Sequence, residues 1–79
     1  IRQEGLDYRG MARALAVAAQ AAERSGDREG AADLYLRAGR SAAAQSDADT
    51  ARPWLERALS LTDDEATEQA AEAALAGLP

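Results

Sequence analysis

The stretch from Asp27 to Asp47 constrains this chain most, because its apolar residues fall on two adjacent helical rows at once. Ala31, Leu34, Tyr35, Ala38 and Ala42 follow the i, i+3, i+4, i+7 spacing of one stripe, and Ala32, Leu36, Gly39 and Ala43 lie in a second row beside it. Glu29, Asp33, Arg37 and Arg40 are left a narrow polar strip, in which Asp33 sits one turn before Arg37 at ion-pair spacing. A helix apolar over so much of its circumference needs neighbours on more than one side. The spacing therefore predicts a central helix within an all-α array.

The other helices must cover it with little bulk. The chain has 79 residues and a formal charge of −5, and only 11 residues are Leu, Ile, Val or Phe. Most of the 47% apolar content is alanine. Few large aliphatics with net charge would suit disorder, but regular helical spacing and the high helix propensity of alanine oppose it. Alanine also lets helices approach closely, so contacts can be tight while little area is buried. The length fits a single domain over residues 1–79, and a start at Ile1 with Met11 as the sole methionine reads as a fragment of a longer protein.

Composition narrows function further. No segment is long or apolar enough to span a membrane, and no signal-peptide pattern is present. The compartment stays open, with the cytoplasm favoured and an exported parent protein allowed. There is no cysteine and no histidine, which removes the commonest nucleophile, the commonest general base and most transition-metal sites. No cofactor is expected, and an enzyme is disfavoured. All nine basic residues are arginine. The acidic balance opposes nucleic acid as the main partner, since phosphate binding needs clustered cations.

Punctuation divides the chain into four helices, over about 8–24, 28–45, 50–61 and 64–76. Ile1 to Leu6 read as a lead-in, Asp7 as a cap, and Leu6 with Met11 as a hydrophobic staple. Tyr8, Met11, Ala12, Leu15, Ala18 and Ala22 form the inward stripe expected of the first helix. Gly26 suits the left-handed residue closing a helix and Asp27 the cap of the next; so short a turn folds the two helices antiparallel. Pro53 belongs in a first turn, so either Thr50 caps the third helix or the helix begins near Asp47 and bends. Ala51, Trp54, Leu55, Ala58, Leu59 and Leu61 point inward there, and Arg52 is spaced to pair with Glu56. Thr62-Asp63-Asp64-Glu65 matches a capping box, with Thr62 as cap. Ala70, Ala71, Ala74 and Leu75, with Leu78 beyond, form the last apolar face, before Gly77 and Pro79 end the helix.

Two windows repeat at a spacing of 20. Gly26-Asp27 is followed by Ala31, Tyr35 and Ala38; Ser46-Asp47 is followed by Ala51, Leu55, Ala58 and Leu59. Two alanines seven apart admit a close neighbour, and the bulky residue between them fills the gap. This pattern resembles the second helix of a tetratricopeptide repeat. Tyr35 and Gly39 also fall where the first helix of a following repeat has its aromatic and glycine. Leu15, Ala18, Ala19 and Ala22 replace the aromatic, leucine, glycine and tyrosine of the preceding helix, and Ala43 and Asp63 stand where the closing proline would be. The spacing of 20, not 34, makes the second helix serve two repeats. The resemblance covers about residues 8 to 62. It implies four antiparallel helices in a tetratricopeptide-like α-α array; a plain four-helix bundle is the alternative. It implies in turn a non-catalytic module binding a protein or peptide on a concave face.

The candidate contact residues are Arg9, Arg13, Arg37 and Arg40, which with Arg24 could grip carboxylates bidentately, and Tyr35 and Trp54, which are able to anchor a partner. Solvated ion pairs for the arginines and core packing for the aromatics are the simpler readings. The acidic clusters Asp63-Asp64-Glu65 and Asp47/Asp49 sit at helix starts, where capping outweighs metal binding. A second possibility is self-association of the alanine-rich faces into a homo-oligomer. Close packing itself is testable: Ala38→Leu or Ala58→Leu is expected to overpack a helix contact and destabilise the fold by about 1–3 kcal/mol. Thermal melts left unchanged by both substitutions would refute close packing.

Overall fold

The computed structural model describes residues 8–79, with side chains from Gly10 onward. Helices α1 (Tyr8–Arg24), α2 (Arg28–Ala44), α3 (Ala48–Leu61) and α4 (Glu65–Ala76) account for the described chain, and no strand occurs among the described residues. The lead-in, the Asp7 cap, the Leu6–Met11 staple and the side chains of Tyr8 and Arg9 lie outside what is described. The helices form a slab of 42 × 30 × 19 Å. As its two apolar rows require, α2 packs against α1, α3 and α4, while α4 also rests on α3.

The first two turns share one hydrogen-bonding scheme. The Asp27 N–H donates to the Ala22 carbonyl at 2.9 Å and the Gly26 N–H to Glu23 at 3.1 Å; twenty residues on, Asp47 donates to Ala42 at 3.0 Å and Ser46 to Ala43 at 2.9 Å. These are the paired bonds of a Schellman closure. Gly26 and Ser46 occupy its left-handed position, with φ of 90° and 63°. The next residue then caps the following helix: Asp27 Oδ1 accepts from the Gly30 N–H at 2.9 Å, and Asp47 Oδ1 from the Thr50 N–H at 3.3 Å. The spacing of 20 in the sequence is thus a repetition of turn chemistry. Serine at position 46 carries a left-handed strain that glycine at 26 avoids.

Asp47 settles the start of α3 and leaves Pro53 inside the helix. The proline removes the N–H that would bond the Asp49 carbonyl. Both residues are exposed, so water can satisfy that carbonyl. At the third turn the cap is Asp64, not Thr62. Asp64 Oδ2 accepts from both the N–H and the hydroxyl of Thr67, at 2.9 and 3.0 Å. Thr62 instead ends α3 and takes the Asp64 N–H on its hydroxyl. Glu65 does not reach back but accepts from Gln69. Arg52 bonds the Pro79 carbonyl, not Glu56.

The core is small-residue packing around one large side chain. Ala31, Ala32, Ala38, Ala51, Ala58 and Ala71 have no exposure, and Leu55 is the largest side chain fully buried; its burial contributes about 1.5–3 kcal/mol. Leu55 lies over Gly39. A Cβ added there would stand 2.5 Å from Leu55 Cγ and 3.3 Å from the Ala51 carbonyl oxygen, so α2 and α3 approach at a distance only glycine allows. On α1 the buried line is Ala12, Ala16 and Ala19, rotated from the expected stripe. A line of alanines lets α1 lie close on α2, and Met11 and Ala18 face outward with Val17; Glu23, four residues beyond Ala19, is turned inward onto Tyr35 and Arg57.

Two substitutions with opposite signs test this packing. Gly39→Ala is expected to destabilise by about 1–3 kcal/mol through overpacking, and Ser46→Gly to stabilise by about 0.5–1 kcal/mol by relieving the left-handed serine; denaturant melts measure both. Acid tests the last cap. The amide and hydroxyl of Thr67 hold the Asp64 carboxyl below its ordinary value of 3.8. A lowered folded value means the cap stabilises above the ordinary value and is lost as pH falls through the folded one. Amide signals of Ala66 and Thr67 are therefore expected to lose protection below about pH 4 in the parent chain, and to show no such step in Asp64→Asn.

Candidate functional site

Thr50, Trp54 and Arg57 follow one another at i, i+4, i+7 along α3, on the flank turned toward α1. At one end of that flank the two helices are clasped. Arg57 Nη2 forms an ion pair with Glu23 Oε2 on α1, and Glu23 Oε1 also accepts from the Tyr35 hydroxyl on α2 at 3.3 Å. One carboxylate therefore ties three helices. Half-exposed on the arginine side, the pair is worth more as geometry than as energy.

At the other end α1 and α3 stand apart over the C-terminus of α2. The opening is a cleft of about 360 Å³, walled by Ala12 and Arg13 of α1 and by Thr50 and Trp54 of α3, with Ala42 and Gln45 to Asp47 between them. Its floor is small because α2 ends in alanines. Its polar atoms come from the second turn, where the Schellman closure and the Asp47 cap have already used the backbone N–H groups of Ser46, Asp47 and Thr50. Arg13 is exposed and has no ion-pair partner among the described residues. Trp54 is half-buried, its body against the core. A cationic fork beside an indole and a small apolar floor suits a segment carrying a carboxylate and an apolar side chain.

The remaining candidate residues do not gather here. Tyr35 is 5% exposed and committed to Glu23, a core role. Arg37 is exposed and pairs with Asp33 at 3.0 Å. Arg40 overlooks a separate hollow of about 340 Å³ against Ala70, Ala73 and Ala74 of α4. Arg24 ends α1, at the clasped end. Arg9 lies outside the described side chains. The described arginines thus form no single groove. Among the described residues no three His, Cys, Asp or Glu side chains converge as a metal site, and no helix is long and apolar enough to cross a membrane.

Glu23 and Glu29 escaped sequence reading. Glu29 seemed part of a solvated strip, yet its carboxylate accepts from the Thr62 hydroxyl at 2.8 Å and the Asp63 N–H at 2.6 Å, tying the third turn to the start of α2. Glu23 lies on the inward side of α1 four residues beyond Ala19, and an acid on a buried line is the signal that could have flagged it. No protein-family model, curated protein sequence or solved structure matches the chain.

Proposed function

We propose that this chain is a tetratricopeptide-like helical interaction module that binds a peptide or protein segment without catalysing a reaction. The observation that carries the reading is the juxtaposition of Arg13 and Trp54, far apart in sequence, on facing walls of one cleft. The clasp of Glu23, Tyr35 and Arg57 supports it, because a cleft held at one end by three helices is preformed and loses little ordering entropy on binding. In this reading Arg13 takes a carboxylate of the partner, Trp54 packs its neighbouring apolar side chain, and Ala12 and Ala42 make room for the partner's backbone. Arg37 and Arg40 lie too far round the molecule to take part.

A second reading, self-association, is favoured by a different observation: Met11 and Val17 on α1 are 51% and 56% exposed. Large apolar groups left in water on one helix face mark a contact surface.

Selection from a random peptide library tests the first reading. Retained peptides are expected to carry an acidic residue next to an aromatic or aliphatic one and to shift the fluorescence of Trp54, the single tryptophan. Arg13→Ala is expected to weaken them about tenfold or more, the loss of one charge-assisted hydrogen-bonded contact. An empty selection, or peptides that bind Arg13→Ala and Trp54→Ala as they bind the parent chain, would overturn it.

A further inference from the structure

The two outermost faces of the array are complementary to each other. On α1, Met11, Ala14, Val17, Ala18 and Ala21 are exposed and share one side of the helix. Arg13, Gln20 and Arg24 run along one edge of that strip. The sole acid on the helix, Glu23, is turned inward and engaged. On α4, Ala66, Ala73 and Ala76 are exposed with Gln69, and Glu65, Glu68 and Glu72 run along one edge; that helix carries no cation. One face is large and apolar with a cationic border, the other small and apolar with an anionic border. Arg13 and Arg24 have no ion-pair partner among the described residues.

The handedness of the helices fixes how these faces could meet. At about 100° per residue, the charged edge lies on the same side of the apolar strip in both helices when each is viewed from outside with its N-terminus down. Laid face to face in parallel, each charged edge would meet the far edge of the other strip. Laid antiparallel, the arginine edge of α1 meets the glutamate edge of α4, and the two apolar strips face each other. Consecutive helices of this chain already alternate in direction, so an antiparallel neighbour for α4 extends the same pattern.

We propose, building on the self-association reading, that the occupant of the α1 face is α4 of a second copy of this chain, docked antiparallel, so that copies associate head to tail. Such a contact is heterologous, so copies add head to tail into a ring or an open chain according to the rotation between them. Its charged edges lie in water, so salt weakens it.

Sedimentation equilibrium of the parent chain and two surface variants decides the matter. Val17→Glu blocks the α1 face, and Glu68→Lys with Glu72→Lys blocks the α4 face; all three positions are exposed, and circular dichroism checks that both variants stay helical. The parent mass is expected to rise above 8.3 kDa with concentration, and less so at about 0.5 M salt than at about 0.05 M. Each variant alone is expected to stay monomeric, while an equimolar mixture forms a 1:1 dimer, since each retains the face the other lacks. If the α4 variant associates as the parent does, self-association stands but runs through α1 against α1, and the head-to-tail contact is overturned. A parent that is monomeric at every concentration overturns both and leaves the α1 face to a different helix.

Discussion

Gly39 lets α2 lie so close to α3 that a single added methyl group would collide with Leu55 and crowd the Ala51 carbonyl. The rest of the architecture depends on that approach. With few large aliphatic residues, the chain cannot bury enough area by bulk. It gains contact instead by bringing backbones together over alanine, where many short-range dispersion contacts replace a few large buried groups. Ala31 and Ala42 of α2 and Ala19 of α1 belong to the same buried cluster, which Ala71 of α4 completes. The helix order follows: the one helix with two small-residue rows sits in the middle.

Polar ties then fix the angles that smooth alanine surfaces leave free. Each of the first two turns stops one helix and caps the next within a few residues, so neither pair of helices can splay at its turn. Glu23 joins α1, α2 and α3, and Glu29 joins the start of α2 to the turn between α3 and α4. These ties sit at one end of the α1–α3 flank. The cleft holding Arg13 and Trp54 lies at the other end, where the second turn places polar groups and, among the described residues, no carboxylate bridges α1 and α3. The candidate site is a by-product of where the structure is tied and where it is not.

The sequence made most of this legible. Small residues at helical spacing identified the central helix, and Gly26-Asp27 and Ser46-Asp47 marked turns whose hydrogen bonds do recur. The inward residues expected on α3 and α4 are the ones buried or half-buried. Legibility failed where the local pattern left more than one choice. On α1 seven alanines are spread round the helix, so periodicity is a poor guide to its buried face; the buried line is Ala12, Ala16 and Ala19, Glu23 continues it, and Met11 and Ala18 lie in solvent. At the third turn Thr62 and Asp64 were both able caps, and Glu29 claimed the threonine from 33 residues away. The Asp33–Arg37 pair was legible from its spacing and forms, but sequence alone does not show that Arg40 faces α4, away from Arg13. Long-range polar contacts leave no local signature, and here they decide the site.

If α2 is the packed hub, it must be the last helix to open. Native-state hydrogen exchange measures this directly, because amides opened only by global unfolding exchange slowest. The amides from Tyr35 to Ala43 are expected to be the most protected in the chain, with α3 next and α4 opening well before them. Exchange of the α2 amides as fast as those of α4, or faster, would contradict the account: the fold would then not be organised around close approach at Gly39.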